Sequence, residues 1–234
     1  MLVPVLLLSS LAAAPNAVCE GAVPPASARP ATAPAVVRGD SVLAALYASG
    51  TDYRDFLAAA EARRDQWRAN TERAVVAPDA LAAARALPGR WRLLVVAVDG
   101  CSDSVNTIPY LAALVEGVAS LELRIVLPGP GRPVMEAHRT PDGRPATPTV
   151  VVLDAAGNEV GCWVERPKAL QDQAVAARAG GTLEQFQRGK QGWYDADAGA
   201  STVREVVAVL QAAAAGTPRC DAITSPLPRP GGRQ

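Results

Sequence analysis

Residues 91–109 read WRLLVVAVDGCSDSVNTIP. Leu93, Leu94, Val95, Val96, Ala97 and Val98 form an unbroken aliphatic run, the pattern of a strand covered on both faces in a parallel or mixed sheet. Asp99-Gly100 predicts a turn. Cys101, Ser102, Asp103 and Ser104 follow, and then Val105, Ile108, Leu111, Ala112, Leu114, Val115 and Val118 recur at helical spacing. The pattern places a cysteine where a buried strand turns into a helix. Unbonded amide N–H groups and the helix dipole converge at such a point, and both favour a thiolate over a thiol. Pro109 falls inside the helix and predicts a kink.

A second informative stretch lies downstream. Arg144-Pro145-Ala146-Thr147-Pro148-Thr149 precedes the apolar run Val150 to Leu153, the turn Asp154-Ala155-Ala156-Gly157-Asn158, and a further strand over 159–165. A proline just before a central strand suits a cis peptide bond or an open strand edge. Taken together, these pieces resemble the thioredoxin superfamily: strand, Cys-x-x-(Cys/Ser), a helix with proline eight residues after the cysteine, then a cis-proline loop and hairpin. The resemblance is closest to bacterial thioredoxin-like proteins with Cys-x-Asp-Ser or Cys-x-Asp-Ala in place of a dithiol. Tyr53, Phe56, Leu57 and Trp67, and the late Trp193-Tyr194, fit the same pattern. It spans roughly residues 53–210.

The resemblance implies an α/β fold, with a central mixed sheet flanked by helices and an N-terminal helical extension. It implies a cis-proline, Pro148, beside Cys101, whose neighbouring backbone pairs with an extended substrate segment by strand addition. Catalytic roles then fall on Cys101, Ser104 and Asp103, and substrate contacts on Gly100, Ser102, Thr147 and Pro148.

Composition narrows the function further. Lys plus Arg and Asp plus Glu number 23 each, so there is no basic field to hold nucleic acid or an anionic membrane. Residues 1–14, MLVPVLLLSSLAAA, are too short for a membrane span, which needs about 20 residues. They suit the apolar part of a secretory signal, although no Lys or Arg precedes the run and Pro4 interrupts it. The expected organisation is a signal segment over 1–19, a Pro/Ala-rich linker over 20–39, a folded domain over 40–215 and a disordered tail over 216–234. The expected location is exported, periplasmic or secreted, with the cytoplasm as the alternative.

Within the domain, helices are predicted over 42–48, 51–72, 79–86 and 202–210, with a helical stretch over 168–190 broken at Gly180-Gly181. Residues 121–127 read as a strand, and 133–138 as a helical turn. His138 is the sole histidine and reads as a surface or internally satisfied residue rather than a base or ligand. No CxxC or HExxH spacing occurs, so no metal site is expected.

A thiolate at position 101 attacks a disulfide sulfur and forms a mixed disulfide. Ser104 stands where a dithiol site has its second cysteine, so release needs an external thiol such as glutathione. The expected partners are protein or small-molecule thiols and disulfides. Ser104, by its hydroxyl or its amide, is the candidate hydrogen-bond donor to the sulfur. Asp103 is expected to raise the thiol pKa by like charge. Val95 stands where dithiol relatives often hold a buried acid, and Gly100 where many have Trp. Cys162, alternating with Gly161 and Trp163, reads as a small buried apolar residue. Cys19 and Cys220 flank the domain and are open to pairing with each other or with partners. The sulfur of Cys101 is expected to lie exposed at the helix mouth. The competing reading is a redox-inert module that holds a protein segment on the cis-proline face and the aromatic helix.

Overall fold

Leu93 to Val96 are all buried, and the strand they belong to, β1 (Trp91–Val96), lies inside a five-stranded sheet. The computed structural model describes residues 39–220. β1 pairs in parallel with β2 (Leu121–Val126) and antiparallel with β3 (Thr149–Leu153). β3 pairs antiparallel with β4 (Glu159–Val164), and β5 (Arg219–Cys220) adds a short parallel strand at the edge of β4. This is the mixed α/β architecture that the resemblance implies.

Strand alternation divides the core in two. Leu93, Val95, Val150, Val152 and Trp163 face one cluster; Leu94, Val96, Val151 and Leu153 face the other. The second cluster is closed by Leu43 and Tyr47 of α1 (Gly39–Ser49) and by Val134 and Met135 of α6 (Pro128–Ala137). The first is closed by α2 (Tyr53–Ala59), α3 (Arg64–Arg73), α4 (Pro78–Arg85), α5 (Ser102–Glu116) and α9 (Ala200–Ala214). α7 (Lys168–Ala179) and α8 (Leu183–Asp197) connect β4 to α9. A rise in proline content did not stop α6 from starting early: Pro128 occupies its first turn, where a missing N–H costs nothing.

The helix expected over 51–72 is two helices. Between them the Glu61 and Ala62 amides both donate to the Asp99 carboxylate at 2.8 Å, and Arg63 adopts φ 53°. The break lets α3 approach the turn after β1, where Trp67 Nε1 donates to the Asp99 carbonyl. Trp67 is fully buried, with Phe56 edge-on to it. α3 also answers the proline in α5. Pro109 has no N–H for the Val105 carbonyl, and the buried Asn70 amide donates to that carbonyl at 2.6 Å.

Arg219–Cys220 form β5 within the stretch assigned from sequence to the tail. Gly161 permits this approach: a Cβ there would lie 2.8 Å from the Arg219 carbonyl oxygen. Cys220 is disulfide-bonded to Cys162, which corrects two expectations. Cys162 is not merely a small apolar residue, and Cys220 does not pair with Cys19, which lies outside the described residues. The sequence pattern could not show this because the pairing depends on a chain return across the sheet edge.

Candidate functional site

Cys101 ends the turn after β1 and caps α5. Its Sγ accepts the Ser104 amide N–H at 3.3 Å, and lies 3.2 Å from the Thr147 carbonyl oxygen. The Thr147–Pro148 peptide bond is cis, so the bend comes directly against the sulfur. The Glu165 amide, one residue past β4, donates to the Pro148 carbonyl at 2.7 Å and ties the bend to the end of β4. Glu165 holds φ 67°, a costly conformation for a residue with a Cβ, and this places its side chain within the site.

Cys101 is not an exposed thiol. It is disulfide-bonded and has no solvent exposure, correcting the expectation of an open sulfur at the helix mouth. No cysteine among the described residues is free. Gly100, Thr147 and Pro148 are buried as well, and Ser102 is half-buried. The Gly100 carbonyl accepts from Arg63 Nε at 2.8 Å. The Ser104 hydroxyl is buried and finds no partner among the described residues; its amide alone contacts the sulfur.

Asp103 turns away from the sulfur. Its fully buried carboxylate accepts from Tyr194 Oη at 2.7 Å, Arg166 at 3.0 Å and Lys190 Nζ at 3.1 Å. Burial favours its neutral form, but Arg166 and Lys190 outweigh that and hold the carboxyl below its usual range. The expectation that Asp103 acts on the sulfur as an uncompensated like charge is therefore corrected: two cations face it. Lys190 also donates to Ser102 Oγ at 2.8 Å. Burial lowers the Lys190 pKa despite the Asp103 charge, and burial with the Asp103 charge raises Tyr194 well above its ordinary value.

The charges continue as a chain of alternating sign. Arg166 pairs with Glu165, Glu165 with Arg144, and Arg144 with Asp142, which also meets Arg178. Burial raises Glu165 even though Arg166 opposes it. Arg166, Lys190, Tyr194 and Glu165 thus join the site without having been identified from sequence. For Tyr194 the sequence shows only that Trp193-Tyr194 fit the family pattern. The other three carry no local pattern, since residues 166 and 190 meet residue 103 only through the fold. Nearby acids have other partners: Asp99 accepts from two amides, and Glu136 pairs with Arg132 and Arg139.

Comparisons with known proteins agree with this fold. A family model described as thioredoxin matches residues 50–180. A Pseudomonas aeruginosa protein of unknown function has a similar crystal structure, with TM-score 0.58 and 22% identity, covering 73% of this chain and 97% of that one. The crystal structure of an HIV epitope-scaffold is also similar, with TM-score 0.54 and 22% identity over 72% of this chain and 96% of that one. No curated protein matches the chain. Among the described residues, no helix is long and apolar enough to cross a membrane.

Proposed function

Because the chain belongs to the thioredoxin family, we propose that it takes part in thiol-disulfide exchange through Cys101. One observation carries the reading: a disulfide-bonded sulfur that caps a helix and accepts the Ser104 N–H. An external thiolate attacks the sulfur bonded to Cys101. The new S–S bond forms between those two sulfurs, the old bond breaks, and Cys101 leaves with the electron pair as a thiolate. The α5 N-terminus stabilises that thiolate and speeds its departure.

The released thiolate then attacks a substrate disulfide and forms a mixed disulfide. Ser104 cannot resolve it; its amide N–H donates to the thiolate, and an external thiol such as glutathione releases the product. Asp103 acts as a positioning residue, fixing Ser102 and the first turn of α5 through Lys190. Gly100, Thr147 and Pro148, which are buried here, and the half-buried Ser102 are the residues a substrate segment meets once the bond to Cys101 opens. An exported setting suits a protein whose described cysteines are all oxidised.

Disulfide mapping and trapping test this. The chain has four cysteines, and mapping its disulfides identifies the partner of Cys101. After mild reduction, Cys101 is expected to alkylate at lower pH than an ordinary cysteine, and Cys101→Ser to lose mixed disulfides with substrate proteins. Equal trapping by Cys101→Ser defeats the proposal.

The burial of Cys101 favours a second reading, a redox-inert module that holds a protein segment against the cis-proline face. It expects partner binding unchanged by reductant or by Cys101→Ala.

A further inference from the structure

His138 at the end of α6 meets the Cys162–Cys220 disulfide at the opposite edge of β4 from β3. One donor atom from each of His138, Cys162 and Cys220 lies within 4.8 Å of the others. A structural disulfide needs only its two sulfurs. Here a buried imidazole stands beside them, with Nδ1 2.8 Å from the Val134 carbonyl and Nε2 2.7 Å from the Glu159 carboxylate. The Val134 carbonyl can only accept, so Nδ1 carries the proton there. This is the anchoring that orients a metal-binding histidine through its other nitrogen. Glu159 and Cys162 are three positions apart on β4, and regular alternation would put them on opposite faces. The register shift opposite Val152/Leu153 breaks the alternation and lets both reach His138.

We propose that Cys162 and Cys220, once reduced, bind a zinc-like divalent cation together with His138, and that Glu159 supplies the fourth donor. The set of two thiolates, one imidazole and one carboxylate suits tetrahedral zinc. An external dithiol supplies two electrons and two protons to the Cys162–Cys220 bond and leaves as its own disulfide. Each new thiol gives up its proton as the metal binds. His138 ligates through Nε2, which exchanges the Glu159 hydrogen bond for the cation while Nδ1–H stays on Val134. The metal and the disulfide are therefore alternative fastenings of β5 to β4. Sequence spacing hid this site because its donors lie on α6, β4 and β5, far apart along the chain.

Cobalt(II) titration of the full chain, reduced with a phosphine, tests it by the thiolate-to-cobalt charge-transfer absorption. The expected result is one equivalent bound by the reduced protein and displaced by zinc, with no such band for the oxidised protein. Cys162→Ser and Cys220→Ser should each abolish the band, His138→Ala should weaken binding by about tenfold or more, and Cys101→Ser should leave it unchanged. Cys220→Ser, at the two-residue edge strand, keeps the test meaningful if Cys162→Ser fails to fold. Absence of a thiolate band, its survival in Cys220→Ser, or its loss in Cys101→Ser overturns the proposal.

Discussion

The two sulfur regions of this protein differ in what surrounds them. Cys101 sits at the mouth of α5, with an amide N–H on its sulfur and a buried network of alternating charges behind it. The Cys162–Cys220 pair sits at the sheet edge with apolar neighbours Ala146 and Val164 and one imidazole–carboxylate pair. Sulfur reactivity follows the donors and charges facing it. The first setting is the one on which the proposed exchange rests, whereas the second holds two chain segments together. The same element thus meets a helix N-terminus at one site and joins two strands at the other.

The sharpest way to break this contrast is Asp103→Ala. It leaves Arg166 and Lys190 buried opposite a methyl group, and loss of one partner of a buried charge cluster costs about 3–5 kcal/mol. Urea unfolding measures it; a change below about 1 kcal/mol would show that the network does not hold the Cys101 region. The same carboxylate has a depressed pKa, so its contribution is present above the unfolded value of about 3.9 and is lost as pH falls through the lower folded value. Asp103→Ala should flatten the acid limb of the stability profile.

Asn70→Ala comes next. It removes the donor to the Val105 carbonyl that Pro109 cannot serve, an expected loss of about 1–3 kcal/mol in the same unfolding measurement. A smaller and opposite pH signature belongs to the second region in its oxidised form. Burial alone would lower the His138 pKa, but Glu159 and the Val134 carbonyl outweigh it and the net shift is upward. Its stabilisation is therefore full below the unfolded value of about 6.5 and fades as pH rises through the raised folded value. His138→Gln should remove that alkaline fade while leaving the acid limb governed by Asp103. Smallest of all, Arg188→Ala breaks only an exposed pair with Glu184 and should change stability by less than about 0.5 kcal/mol. A larger effect there would mean that α8 contributes to the site through more than Lys190 and Tyr194.

Local chemistry made much of this legible beforehand. The aliphatic run of β1 admits only a strand buried on both faces, and the Asp99-Gly100 turn places Cys101 at the start of α5. Helical spacing located α1, α4, α5 and α9, and the glycine pair after α7 marked its end. By contrast, the helix over 51–72 hid its break, because the cause is the carboxylate of Asp99, a residue far along the chain. Asp103 was read as a charge acting on its neighbour sulfur for the same reason: its compensating cations arrive from residues 166 and 190.

The sequence by itself determined the secondary elements and the position of Cys101 on them, since hydrophobic period, turn residues and caps act over a few residues. Only the tertiary structure decided the state of the described cysteines, the neutralisation of Asp103 and the meeting of His138 with Cys162 and Cys220. Those depend on close approach between distant segments. Coulomb interaction, hydrogen bonding and disulfide formation act on distance in space, which residue order alone does not set.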